Sequence, residues 1–203
     1  MLDVATQIER FFHHVASGDI DLYNECSLQY ELAVFLRRSF VSSSYKVQFE
    51  RPVAFFGLRR SEFIKNEIDI TVFSSDQTAR IAIEVKFPRN GQYPEQMFRF
   101  CQDVAFLEQL VSAGFNAGLF VVAADDPLFY SGGQQSGIYG PFRGNHPLTG
   151  TITKPTGKRD ESVHLRGEYN IVWRDAGQLK YACVRAKPLH QNSCPTLISS
   201  QLS

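Results

Sequence analysis

Two acids and a lysine stand in segments that are otherwise apolar. Asp69 lies between Ile68 and Ile70, and after a gap of fourteen residues Glu84 and Lys86 alternate with Ile83, Val85 and Phe87. Side chains alternate between the faces of a strand, so Glu84 and Lys86 share one face, ~7 Å apart, and the aliphatic residues take the other. A charged group in such a strand is costly to bury unless it is paired, hydrated or bound to metal. A divalent cation is one reason for three of them to converge. Asp69 and Glu84 offer hard carboxylate oxygens suited to Mg2+ or Mn2+, and the carbonyl of Val85 completes the protein's share of the ligands. Such an ion lowers the pKa of bound water and neutralises charge on a pentacovalent phosphorane, while Lys86 positions the attacking water or helps deprotonate it. An exposed edge hairpin with a surface ion pair is the competing explanation.

The surrounding pattern supplies elements to hold these residues. Ile8, Phe11, Phe12 and Val15 repeat at helical spacing until Gly18, giving a short amphipathic helix on which His13 and His14 are surface residues. A second helix is expected over 25–40, capped by Asn24 or Asp21, with Leu28, Leu32, Phe35 and Leu36 as its apolar stripe. Strands are expected over 45–56, 68–73 and 80–87. A long helix with Pro94 in its first turn ends before Gly114 and turns Met97, Cys101, Val104, Leu107 and Val111 inward. Residues 117–124, AGLFVVAA, form a continuous apolar run suited to an interior parallel strand. The glycine- and proline-rich stretch 126–167 reads as a long loop or lid, with Tyr139, Phe142 and Arg143 as loop anchors or ligand contacts. Residues 169–174 and 179–185, around Asp175, Ala176 and Gly177, read as a terminal β-hairpin, and the last dozen residues as a loose tail.

Composition narrows the possibilities further. The 203 residues suit one domain with decorations. Lysine and arginine together equal aspartate and glutamate, so any polyanion must be met by a local patch. The charge is uneven: residues 1–36 carry one arginine against six acids, and residues 37–66 carry seven basic groups against Glu50 and Glu62. Cys26, Cys101, Cys183 and Cys194 are far apart and have no histidine at ligand spacing, which argues against a zinc ribbon or disulfide framework and for reduced thiols. With neither a signal-like start nor an apolar run long enough to span a bilayer, a soluble cytoplasmic protein without membrane contact is expected.

With Glu67-Ile68-Asp69 on the second strand and Ile83-Glu84-Val85-Lys86 on the third, residues 25–125 resemble the PD-(D/E)XK nuclease superfamily. The residue two before Asp69 is Glu67 and not proline. The resemblance implies an α/β fold with a restriction-endonuclease-like αβββαβ core, a mixed central sheet flanked by helices, here extended by the N-terminal helix and by a C-terminal hairpin over 168–190. It also implies a Mg2+- or Mn2+-dependent endonuclease, with DNA as the expected substrate and a homodimer as a common assembly. The catalytic set it implies is Asp69, Glu84, Lys86 and a glutamate of the first core helix, with Asp69, Glu84 and the Val85 carbonyl on the metal. For the helix acid, Glu31 in YELAVFLRRSF fits the family pattern better than Glu25, whose place near the helix start also suits the helix dipole. Arg37, Arg38, Lys65 and Arg99 are the candidate nucleic-acid contacts; Arg99 shares a helix face with Gln96 and Asp103, a face that solvent explains better. Two other functions compete. One is a catalytically inactive nuclease-fold module that binds nucleic acid or protein, in which an arginine such as Arg80 or Arg89 pairs with the acids. The other is a small-molecule or nucleotide pocket in the loop over 130–159, with Lys158 and Arg159 on phosphate.

Overall fold

The computed structural model describes residues 3–40, 44–89, 91–157 and 160–186. Helix α1 (Val4–Ser17) begins on Asp3, whose side chain accepts from the Thr6 N–H, and ends at Gly18, whose φ of 82° a side chain would resist. Helix α2 (Glu25–Ser39) begins on a reciprocal cap: Ser27 N–H donates to Asn24 Oδ1 at 2.7 Å, and Asn24 N–H to Ser27 Oγ at 3.0 Å. That cap sets Glu25 as the first helical residue. The two helices lie together on one face of a six-stranded sheet, where their stripes pack on Ile70, Val72, Ile83, Val85, Leu119 and Val121.

Strands β1 (Tyr45–Pro52), β2 (Glu67–Ser74) and β3 (Arg80–Lys86) form an antiparallel meander. The first is shorter than its apolar pattern predicts, because Val53–Phe56 curl into a 3-10 turn that ends on Gly57. Helix α3 (Tyr93–Ser112) then crosses the sheet to β4 (Ala117–Ala124), which pairs parallel with β3 and is buried along its whole length. Helix and strand approach closely at Gly118, where an added Cβ would lie 2.9 Å from Leu107 Cβ and 3.3 Å from the Leu107 carbonyl.

The stretch expected to be one long loop is built. After 3-10 turns at Pro127–Phe129 and Gly137–Tyr139 and the single turn α4 (Gly140–Arg143), strands β5 (Leu148–Thr153) and β6 (Ser162–Tyr169) pair as a separate hairpin against α3. Phe142 is buried there, and Arg143 donates to the Leu128 carbonyl and lies over the Tyr139 ring. Sequence inspection missed β5 and β6 because glycine interrupts both, and Thr, His, Arg and Glu face solvent between their apolar positions. Tyr169, expected in the terminal hairpin, instead ends β6; β7 (Arg174–Ala176) and β8 (Leu179–Ala186) make the terminal hairpin. Strand β8 pairs with β4, so the sheet runs β1-β2-β3-β4-β8-β7. Residues 187–190 of the expected hairpin, the tail, Cys194, and the phosphate-contact candidates Lys158 and Arg159 lie outside the described residues. Among the described residues, no helix is long and apolar enough to cross a membrane.

A buried carboxylate fastens the outer hairpin to α3. Glu108 accepts from the Arg166 N–H at 3.0 Å and, through its other oxygen, from the Gly167 N–H and the Tyr169 hydroxyl, both at 2.7 Å. A Cβ on Gly167 would collide with the Tyr169 hydroxyl. Replacing Glu108 by Ala removes three hydrogen bonds, the one from the Tyr169 hydroxyl buried and the two from amides partly so, which costs about 3 kcal/mol. Urea unfolding of Glu108→Ala is expected to show that loss; an unchanged midpoint would count against the fastening role.

Candidate functional site

The β2–β3 ladder runs from Phe73 opposite Arg80 to Ile70 opposite Ile83. The next pair in that register is Asp69 opposite Glu84, and here two carboxylates stand face to face, an arrangement that destabilises a sheet. Side chains take over from the ladder at this point. Val85 N–H donates to Asp69 Oδ2 at 2.9 Å, and Asp69 N–H donates to Glu84 Oε1 at 3.3 Å. On the other side, the β1–β2 pairing passes over Glu50 and Asp69. Glu50 there adopts a φ of 47°, strained for a residue with a side chain, and Gln29 of α2 donates to both the Asp69 carbonyl and Glu50 Oε1 at 2.8 Å.

Glu84 and Lys86 share a face of β3, as their spacing predicts, and it is the face that α3 covers. Glu84 has no exposed surface. Asp103 of α3 is also buried. The Lys65 ammonium lies between them, paired with Glu84 Oε2 and donating to Asp103 Oδ1 at 2.8 Å. Lys86 donates to Glu25 Oε1 at 3.1 Å and to the Val85 carbonyl at 2.9 Å, and its Nζ lies 3.5 Å from Asp103 Oδ2 and 3.9 Å from Asp69 Oδ2. Asp103 Oδ2 is buried and accepts no hydrogen bond. The cluster opens onto a cleft of about 670 Å³ whose walls include Glu50, Arg60, Lys65, Glu67 and Asp69.

Electrostatics follow from this crowding. Burial, then the charge of Asp69, pushes the Glu84 carboxyl well above its ordinary value, against the pull of Lys65. Burial also raises Asp69, opposed by Lys65 and Lys86. Burial alone would lower both lysines, but the carboxylates outweigh it: Glu84, Asp103 and Asp69 raise Lys65, and Asp103, Asp69 and Glu25 raise Lys86. Both ammonium groups are therefore held charged.

The structure sorts the other expected residues. Glu25, not Glu31, reaches Lys86, and it also accepts from the Phe87 N–H at 3.4 Å. The two glutamates are six residues apart, which turns Glu31 about 120° around the helix and ~9 Å along it. Glu31 is half-buried and joins none of these contacts. Arg37 and Arg38 sit at the far end of α2, about 18 Å from Glu25 along the axis, and Arg37 donates to the Val47 carbonyl at 3.3 Å. Arg99 is exposed one turn before Asp103. Lys65, expected to reach nucleic acid, instead completes the buried cluster. Gln96 and Asp103 are buried, contrary to the solvent-face alternative, and Asp103 turns to Lys65 and Lys86 at the end of the sheet. Neither of the two candidate arginines is seen to pair with these acids: Arg89 pairs with Asp125, and the Arg80 guanidinium lies over Phe115.

A hard divalent cation suits this donor set. Asp69, Glu84 and Asp103 bring carboxylate oxygens to adjoining elements, one buried oxygen lacks a donor, and carboxylates outnumber ammonium groups. As the side chains stand, however, no three Asp, Glu, His or Cys among the described residues are gathered closely enough to hold a metal. Lys65 separates Glu84 from Asp103, and Lys86 takes the Val85 carbonyl. A second cleft, of about 590 Å³ between α3 and β6, contains Glu108, already spent on the hairpin. No known protein family, curated protein or solved structure matches this chain.

Folding raises the Glu84 and Asp69 carboxyls above their ordinary 4.5 and 3.8, so just above those values the native chain holds more protons than the unfolded one. Their contribution to stability therefore falls as pH rises through that window. Glu84→Gln cannot ionise, and its urea midpoint should gain on wild type as pH is raised from the ordinary carboxyl range towards neutrality. A midpoint difference that does not change with pH would contradict the assignment.

Proposed function

We propose that the chain is a PD-(D/E)XK-type nuclease that hydrolyses phosphodiester bonds, in DNA before other substrates, with Mg2+ or Mn2+ held by Asp69, Glu84 and the Val85 carbonyl. The observation that carries the reading is the meeting of Asp69 and Glu84 at the end of the β2–β3 ladder, with Lys86 beside them. The order α2, β1, β2, β3, α3, β4 agrees with the αβββαβ core implied by the resemblance. The ion supplies charge neutralisation at the phosphate and a more acidic bound water.

The protein's own groups have distinct parts. Asp69 and Glu84 are fixed by backbone donors, so their oxygens are set in place before substrate arrives. Lys86, held as an ammonium by the surrounding carboxylates, acts as a donor, stabilising negative charge at the transition state and orienting water. Glu25 positions Lys86 from the start of α2. Arg60 on the cleft wall is the basic side chain best placed for phosphate, and Arg59 and Arg99 are exposed. The pairing of Glu84 with Lys65 favours a second reading, a module that keeps the fold for binding, because that pair neutralises the acid without a metal.

The deciding assay offers plasmid, linear DNA, single-stranded DNA and RNA with Mg2+ or Mn2+. Wild type is expected to cut, Asp69→Ala and Lys86→Ala to lose about 10³-fold, Glu25→Ala about 10²-fold, and Glu31→Ala to remain near wild type. No cleavage of any substrate, together with no Mn2+ binding that Asp69→Ala abolishes, selects the binding module.

A further inference from the structure

We propose that Lys65 is a tethered counter-ion occupying the cation position of this site, and that a divalent ion and the Lys65 ammonium exchange there; the inference rests on the nuclease reading for the identity of the ion. Three observations carry it. The ammonium contacts Glu84 and Asp103, whose side chains are 0% and 4% exposed, whereas the Lys65 side chain is 29% exposed. Of the partners in this buried contact, Lys65 alone lines the cleft and has a path out. Asp103 Oδ2, deep in the same contact, accepts no hydrogen bond although Lys86 Nζ is 3.5 Å away. The two lysines thus leave the carboxylates incompletely satisfied, a deficit that a doubly charged ion with room for several oxygen ligands removes.

A lysine suits such an exchange. Its charge sits at the tip of a flexible stem, so the ammonium can leave its two acids, and the Phe106 ring 5.6 Å from Nζ, by rotation of its own side chain. Once released, it enters the cleft beside Arg60, where a phosphate would hold it. Phosphate binding and metal binding are then linked, each favouring the other by the same factor, because both draw on the release of Lys65. In the free protein, the ammonium keeps Glu84 and Asp103 apart and spares the core an unpaired buried charge.

Two experiments on the 203-residue protein test this. Calorimetric titration with MnCl2 should show Lys65→Met binding about tenfold more tightly than wild type. Acylation of wild type with an N-hydroxysuccinimide ester, followed by peptide mass spectrometry, should show Lys65 reacting slowly in EDTA and about fivefold faster with Mn2+, with Lys46 as an unchanged control. Weaker or equal Mn2+ binding by folded Lys65→Met overturns the exchange. Should that variant not fold, the wild-type labelling decides: acceleration upholds the exchange, and unchanged or slower labelling ends it. Acceleration without cleavage of any nucleic acid removes the nuclease reading and leaves the exchange. Metal-dependent cleavage with unchanged labelling does the reverse.

Discussion

A carboxylate with no exposed surface can persist only among donors and opposite charge, and the rest of this structure is arranged around that requirement at Glu84. Its strand, β3, pairs with β2 as far as Ile83 and with β4 through Glu84 itself, opposite Phe120. Its donors come from both directions, the Asp69 N–H from the neighbouring strand and the Lys65 ammonium from the loop before that strand. The same ammonium draws in Asp103 of α3, and through Lys86 the network reaches Glu25 at the start of α2. Helices on opposite faces of the sheet are therefore joined by one set of charges at its end.

The sheet's centre was readable because interior strands announce themselves. The run at 117–124 and the alternation around Asp69, Glu84 and Lys86 each admit few arrangements once both faces must be covered. Periodicity says which residues share a face, but not which elements lie over it. Asp103 shows the limit. Its neighbours Cys101, Val104, Ala105 and Phe106 are all apolar, a sign that α3 is buried around most of its circumference, yet one helical stripe was enough to explain the pattern. The cover itself, β5 and β6, is written in residues that read as loop.

Glu25 and Lys65 were obscured for a different reason. A glutamate in the first turn after an asparagine cap needs no partner beyond the helix dipole, so its contact with Lys86 leaves no local mark. Lys65 stands among basic residues that do face solvent, and only the return of the chain into β2, four residues before Asp69, brings it over the acids. Long-range placement of single charges is what the linear pattern lacks, and both residues depend on it.

The fastening of β6 to α3 by Glu108 has a consequence in time. Synthesis proceeds from the N-terminus, and domains fold as their parts emerge. A chain made only as far as β4 already contains every residue of the charged cluster, but the outer side of α3, including the Glu108 carboxylate, still lacks the amides and hydroxyl that β6 brings. The helix carrying Asp103 gains the Glu108 fastening only when residue 169 has left the ribosome. The growing polypeptide thus holds its full set of acids and lysines for some time before the outer side of that helix is covered.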